Sequence, residues 1–264
     1  MPVQLTDRDY EIFRAIEEHG VLLEKHISYF LPANGKPSFV RDRLRRLHYC
    51  EYVVTGTHDS MLSWWNSPTK PLMYALSPAT RALIGARDHD RDLGHFDYQR
   101  HLLEVANIRM LFHRDEREGR ISGVQWTMKS RTPQQASALD AKVSFVNQGT
   151  LKRIGIINQS SRELENLVCR LETAIAKEDV DFVCVIAADQ GRLQAVQKHL
   201  AAAGSASMLK DRVLLTTHKQ LYKSGIVNAT WQDIDNTDVS ILFEPASRCR
   251  NVEWISDRTC CNAG

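Results

Sequence analysis

The apolar pattern of this chain changes its period near residue 120, and that change restricts the fold more than any other feature. Before it, apolar residues recur at helical spacing in short segments. After it, alternating or continuous apolar runs are separated by amphipathic helical stretches. Residues 121–128, 138–146, 151–157, 181–187, 212–216 and 239–243 read as strands, and residues 163–176, 191–203 and 217–223 as helices. Strands interleaved with helices predict an α/β domain with a mixed sheet. The two halves therefore differ in class, and a chain of 264 residues is long enough for two small domains.

The expected division is 1–86, 87–120 and 121–264. Residues 87–97 are charged and poor in aliphatics, which suits a linker. Residues 98–118 follow as one long helix carrying Leu102, Leu103, Val105, Ala106, Ile108, Met110, Leu111 and Phe112. That apolar surface is broader than one packing face requires. It suits either a core helix of the second domain or a contact between two copies, so a homodimer is expected.

Within 1–86, Thr6 opens a helix with Asp7 and Asp9 in its first turn, and Gly20 ends it. A second helix over 22–30 stops at Pro32. A third, capped by Ser38, places Val40, Leu44 and Leu47 on one stripe. Arg41, Arg45 and Arg46 point away from that stripe, and Arg43 sits on its flank. Two strand-like pieces, 51–55 and 72–77, enclose a polar loop with Trp64, Trp65 and Lys70. Ser77-Pro78 then starts a short helix over 79–84. Helix, helix, basic helix, hairpin is the order of a winged helix-turn-helix.

The net charge of +2, from 34 basic and 32 acidic residues, excludes nucleic-acid binding by bulk charge and demands a local patch. The basic helix and the hairpin loop supply one, with Lys36, Ser38, Arg41, Arg45, Arg46 and Lys70 as candidate DNA contacts. The longest apolar run, 182–188, has seven residues, against the ~20 of a membrane helix. The first residues lack a basic start followed by an apolar stretch, so a cytoplasmic protein without a membrane partner is expected. None of the six cysteines forms a C-x-x-C pair, and no disulfide, metal or cofactor is expected from them. The cluster Asp88, His89, Asp90, Asp92 and His95 reads as a hydrated linker, and His19, His26 and His48 as surface or half-buried rings. Nucleotide-phosphate, dinucleotide, zinc-protease and serine-hydrolase motifs are absent from the sequence.

Several short motifs carry a family resemblance. They are Leu5-Thr6-Asp7-Arg8-Asp9, Arg43-Leu44-Arg45-Arg46-Leu47, Tyr74-Ala75-Leu76-Ser77-Pro78-Ala79-Thr80-Arg81-Ala82-Leu83, and the bridging segment 101–108. Together they resemble the replication-relaxation family of plasmids, phages and integrative elements. The resemblance implies a winged domain followed by a restriction-endonuclease-like domain. The pattern of that second fold puts an acid on one strand, an acidic-x-acidic stretch on the next, and Lys on the following helix.

Here Asp140 fits the first acid, but residues 153–161 hold no carboxylate, and the helix over 163–177 has no Lys until its end. One carboxylate cannot hold Mg²⁺ against a scissile phosphate. A catalytically silent second domain is therefore expected. The function expected is sequence-specific double-stranded DNA binding, as a transcriptional regulator or as a replication or mobilisation accessory factor of a mobile element. The alternative is a metal-dependent nuclease whose acids, Asp181, Asp189, Asp211 and Glu244, converge from strand ends.

Overall fold

The computed structural model describes residues 4–31, 37–57, 62, 64, 70–86, 96–129, 137–159 and 164–239. Lys36, Trp65, Glu244, the segment 87–95 and the side chain of Ser38 lie outside this description.

The chain begins with α1 (Asp7–His19), β1 (Leu22–Leu23), α2 (Glu24–Phe30), α3 (Pro37–Tyr49), β2 (Val53–Thr57), β3 (Leu72–Leu76) and α4 (Pro78–Leu83). Thr6 opens α1 by donating both its amide and its hydroxyl to Asp9 Oδ2, each at 2.7 Å. Gly20 closes it at φ 80°, a conformation costly for other residues. The helix expected over 22–30 is shorter than its sequence pattern, because Leu22 and Leu23 pair with Tyr74 and Met73 as a strand. The result is an antiparallel sheet in the order β1-β3-β2. Ser77 caps α4 by accepting from the Thr80 amide at 3.2 Å. Ile12, Phe13 and Ile16 of α1, Ile27 of α2, and Val40, Leu44 and Leu47 of α3 fill one core with Val53 and Leu76.

Next comes α5 (Phe96–Arg117), then β4 (Ser122–Met128), β5 (Ala141–Asn147), β6 (Thr150–Gln159), α6 (Leu167–Lys177), β7 (Phe182–Ala187), α7 (Gln190–Ala201), α8 (Ala206–Lys210), β8 (Val213–Thr217), α9 (His218–Ser224), β9 (Trp231–Gln232) and β10 (Asp238–Val239). The strands form a mixed seven-stranded sheet in the order β10-β9-β8-β7-β6-β5-β4. Strands β6, β7 and β8 are parallel to one another and their other neighbours antiparallel. Among the described residues the protein is thus a mixed α+β fold. Expected strands at 121–128, 138–146, 151–157, 181–187 and 212–216 each find a counterpart, shifted by up to three residues at an end. The short α8 and β9 had no separate sequence signal.

Side chains alternate across this sheet as strand geometry requires. Ile154, Ile156, Phe182, Cys184, Ile186 and Leu214 pack against α5 and α9 on one face. On the other, Ile157, Val183, Val185, Val213 and Leu215 pack against α6, α7 and α8. Helix α5 is covered a second time, by the N-terminal elements: Leu102 and Leu103 meet Val21, Leu23, Leu62, Trp64 and Met73, and Ala106 joins the α1–α3 core. Its broad apolar surface is therefore consumed within a single chain and gives no support to a contact between copies. Among the described residues, no helix is long and apolar enough to cross a membrane.

Helix α3 is fixed to α1 by a buried ion pair. Arg43 donates from Nε to Asp9 Oδ1 at 2.7 Å and from Nη2 to the Gln4 carbonyl at 2.9 Å, and Asp9 is 1% exposed. Burial alone would raise the Asp9 pKa, but the Arg43 and Thr6 hydrogen bonds outweigh it and hold the carboxyl below its ordinary value. Removing one partner of a buried pair strands the other charge. Arg43→Ala should therefore cost about 3 kcal/mol of stability, whereas Arg46→Ala should stay within about 0.5 kcal/mol. Urea unfolding of the two variants compares them, and equal midpoints would refute the structural role of Arg43.

Candidate functional site

Two polar regions stand out. The first is the outer face of α3. With Val40, Leu44 and Leu47 buried, helical geometry leaves Arg41, Arg45 and Arg46 exposed on the opposite side. Arg41 Nε lies 3.1 Å from both Glu24 carboxylate oxygens, a surface link from α3 to α2. Arg45 approaches Asp42 only at 3.7 Å, with both side chains largely in solvent. The expected contact residues Arg41, Arg45 and Arg46 thus share one accessible surface, with Arg43 withdrawn from it.

In the connection between β2 and β3, two of the described residues pack inward. Leu62 and Trp64 are buried, and the Trp64 ring lies 5.5 Å from the His218 ring at the start of α9. Of the two loop tryptophans, Trp64 is thus packed on its own chain rather than presented to a ligand. Lys70, where the chain rejoins β3, is exposed.

The second region is a buried polar cluster at the carboxyl ends of β6, β7 and β8, where ligands commonly bind in sheets with parallel strands. Asn158, on the α5 side of β6, organises it. Its Nδ2 donates to Glu104 Oε2 at 2.9 Å, and its Oδ1 lies 2.9 Å from His218 Nε2. Because the amide nitrogen is committed to Glu104, Oδ1 accepts and His218 Nε2–H donates. The Asn158 backbone amide donates to Asp140 Oδ2 at 2.7 Å. Asp140 Oδ1 also faces Arg170 at 3.2 Å and His101 Nε2 at 3.4 Å. Arg100 closes the network by donating from Nε to Glu104 Oε1 at 3.0 Å.

Sequence reasoning had singled out Asp140 but missed Glu104, His101, His218, Arg100 and Arg170. The available signal was the set Arg100, His101 and Glu104, polar residues at helical spacing within an apolar stretch.

Of the other acids proposed to converge, the three that are described do not. Asp181 precedes β7 and accepts from the Arg153 amide at 2.7 Å. Five residues of β6 separate Arg153 from Asn158, so Asp181 lies about 16 Å from the cluster. Asp211 precedes β8 at that same far end, as the pairing of Val183 with Val213 requires. Asp189 is at the near end but is exposed and caps α7, accepting from the Arg192 amide at 2.8 Å. Glu244 lies outside the described residues, as do the linker residues Asp88 to His95. Among the described residues, no group of three or more His, Cys, Asp or Glu is arranged to hold a metal ion. His19 and His26, expected at or near the surface, are fully buried beside Phe30. His48 is exposed, with Nδ1 3.1 Å from the Val53 carbonyl.

No family model, curated protein or solved structure matches the chain.

Two buried histidines make stability depend on pH. Burial lowers the His218 pKa to about 4 and the His26 pKa to about 3, with further lowering of His26 by Lys25. Both values lie below the ~6.5 of an unfolded histidine, so the unfolded chain takes up protons that the native state refuses. Their contribution is full above that value and is lost as pH falls toward the native pKa values, at about 1.4 kcal/mol per pH unit for each histidine. In urea unfolding between pH 7 and pH 4.5, His218→Gln should show a shallower loss of stability than the parent by about one proton. Parallel curves would refute this assignment.

Proposed function

We propose that this chain is a sequence-specific duplex-DNA-binding protein whose N-terminal part is a winged helix-turn-helix, with α3 as the recognition helix. The observation that carries the reading is the exposure of Arg41, Arg45 and Arg46 on α3, outside a stripe that is entirely buried. The element order α1-β1-α2-α3-β2-β3 and the sheet order β1-β3-β2 support it, since both suit a winged domain. Lys70 adds a cation near the base of the hairpin. Arginine in the major groove pairs bidentately with guanine, and lysine or arginine on phosphates positions the protein. Of the candidates named from sequence, Lys36 and the side chain of Ser38 lie outside the described residues.

The second part supports a role without cleavage. The order α5-β4-β5-β6-α6-β7, antiparallel and then parallel, suits an endonuclease-like core. Its carboxylates Glu104 and Asp140 are held by Arg100 and Arg170 instead of standing open. With the family resemblance, this makes the chain a transcriptional regulator or a replication or mobilisation accessory factor of a mobile element. The helix surface that suggested a pair is already buried within the chain.

Each specific base contact contributes ~1–3 kcal/mol of discrimination. Arg41→Ala/Arg45→Ala should bind a selected duplex at least about tenfold more weakly while unfolding near the parental midpoint. Electrophoretic mobility shifts against that duplex provide the measurement, and unchanged affinity would remove α3 from the interface. Incubation of supercoiled plasmid with the protein and Mg²⁺ should leave it intact. Nicking abolished by Asp140→Asn or Glu104→Gln would overturn the silent assignment.

A further inference from the structure

The outer face of α3 contains an acid whose placement calls for a ligand. At 3.6 residues per turn, Asp42 lies directly opposite the Val40–Leu44–Leu47 stripe, with Arg45 to one side and Arg46 to the other. Its side chain is 62% exposed. Tyr49, 85% exposed at the end of α3, shares that outward side.

The intramolecular explanations for an acid here are weak. Asp42 is beyond the first turn of α3, where no acidic residue occurs, so it does not serve the helix dipole. Its ion pair with Arg45, at 3.7 Å, joins two solvent-exposed groups three residues apart. Such pairs contribute little to stability. Arg41 is engaged with Glu24 and Arg43 with Asp9, so neither needs Asp42 as a counterion.

A carboxylate at the centre of a DNA-facing surface is repelled by phosphates and by the acceptor atoms of guanine, adenine and thymine. The major-groove group that suits it is an amino donor with no acceptor beside it, which is cytosine N4. Adenine also presents an amino group, but its N7 acceptor lies next to it. Resting on the DNA-binding reading above, we infer that Asp42 is a specificity-determining residue that reads one cytosine, between positions read by Arg45 and Arg46. The ligand class is then a duplex site rich in G·C pairs over the span of α3. The carboxylate also weakens binding to duplexes that offer no cytosine at that position.

The test is selection from random-sequence duplex DNA with the full chain, for the parent, Asp42→Asn, Asp42→Ala and Arg45→Ala. Binding to the selected duplex with single base-pair changes follows. The parent should prefer cytosine at one position by roughly 5- to 150-fold. Asp42→Asn should move that preference toward adenine, whose N6 and N7 asparagine satisfies together. Asp42→Ala should lose it and bind random-sequence duplex more tightly than the parent.

An unchanged consensus in Asp42→Asn would overturn the assignment while leaving the DNA-binding reading intact. Relaxation of the same base pair by Asp42→Ala and Arg45→Ala would overturn it too, because Asp42 would then only position Arg45. A parent that selects no sequence and shifts no duplex would bring down the DNA-binding reading itself.

Discussion

Burial of α5 from two directions is the constraint on which the rest of the structure depends. A helix packed on one side needs a single apolar stripe, but α5 meets the seven-stranded sheet on one flank and α1, α2 and the hairpin on the other. Its polar residues must therefore find partners inside the protein. Asp115, fully buried, accepts from the amides of Ile226 and Val227 at 2.8 and 2.9 Å and from Arg120 at 2.6 Å. That approach leaves no room for a side chain at residue 225, where a Cβ would come within 2.5 Å of Asp115 Oδ1. Gly225 also stands at φ 83°, so two independent constraints select glycine there.

The same helix organises the N-terminal elements. Arg109 donates to Glu18 at 2.6 Å and lies 4.4 Å from the centre of the Phe30 ring. Arg117 donates to the carbonyls of Ser28, Tyr29 and Leu31, satisfying the exposed end of α2. These two arginines and Arg43 are structural, and their charge is spent inside the molecule. A net charge of +2 therefore understates the contrast between surfaces. The outward face of α3 is basic because its neighbours' charges are already paired, and this gives the arginines that remain exposed their significance.

Much of this was legible in the sequence, and the failures have physical causes. The period change near residue 120, the buried stripe of α3 and the flank position of Arg43 follow from local spacing, which a single strand or helix expresses by itself. The split of residues 22–30 into β1 and α2 does not, because it depends on pairing with Tyr74 and Met73, some fifty residues away. The breadth of α5 was visible, but its meaning was not. A surface covered by the same chain and one covered by a second copy have the same composition. The packing of Trp64 was open for the same reason: its partners Leu102, Leu103 and His218 come from elements distant in sequence.

The cluster around Asn158 was missed because it assembles from a helix, the adjoining ends of two strands and two further helices. Its chemistry turns on one atom. Asn158 Nδ2 donates to Glu104 at 2.9 Å. An aspartate in its place would put a second carboxylate oxygen against the first, in surroundings that screen charge poorly. Two such oxygens share a site only through a proton or a bound cation. The amide keeps the carboxylate's shape while reversing the demand: it supplies a donor where a carboxylate would require one. Arg100 and Arg170 then balance Glu104 and Asp140, and His218, kept neutral by burial, donates the remaining hydrogen bond. Asn158 thereby ties α5, β6 and α9 together at the carboxyl end of the sheet, with each of the two carboxylates facing an arginine.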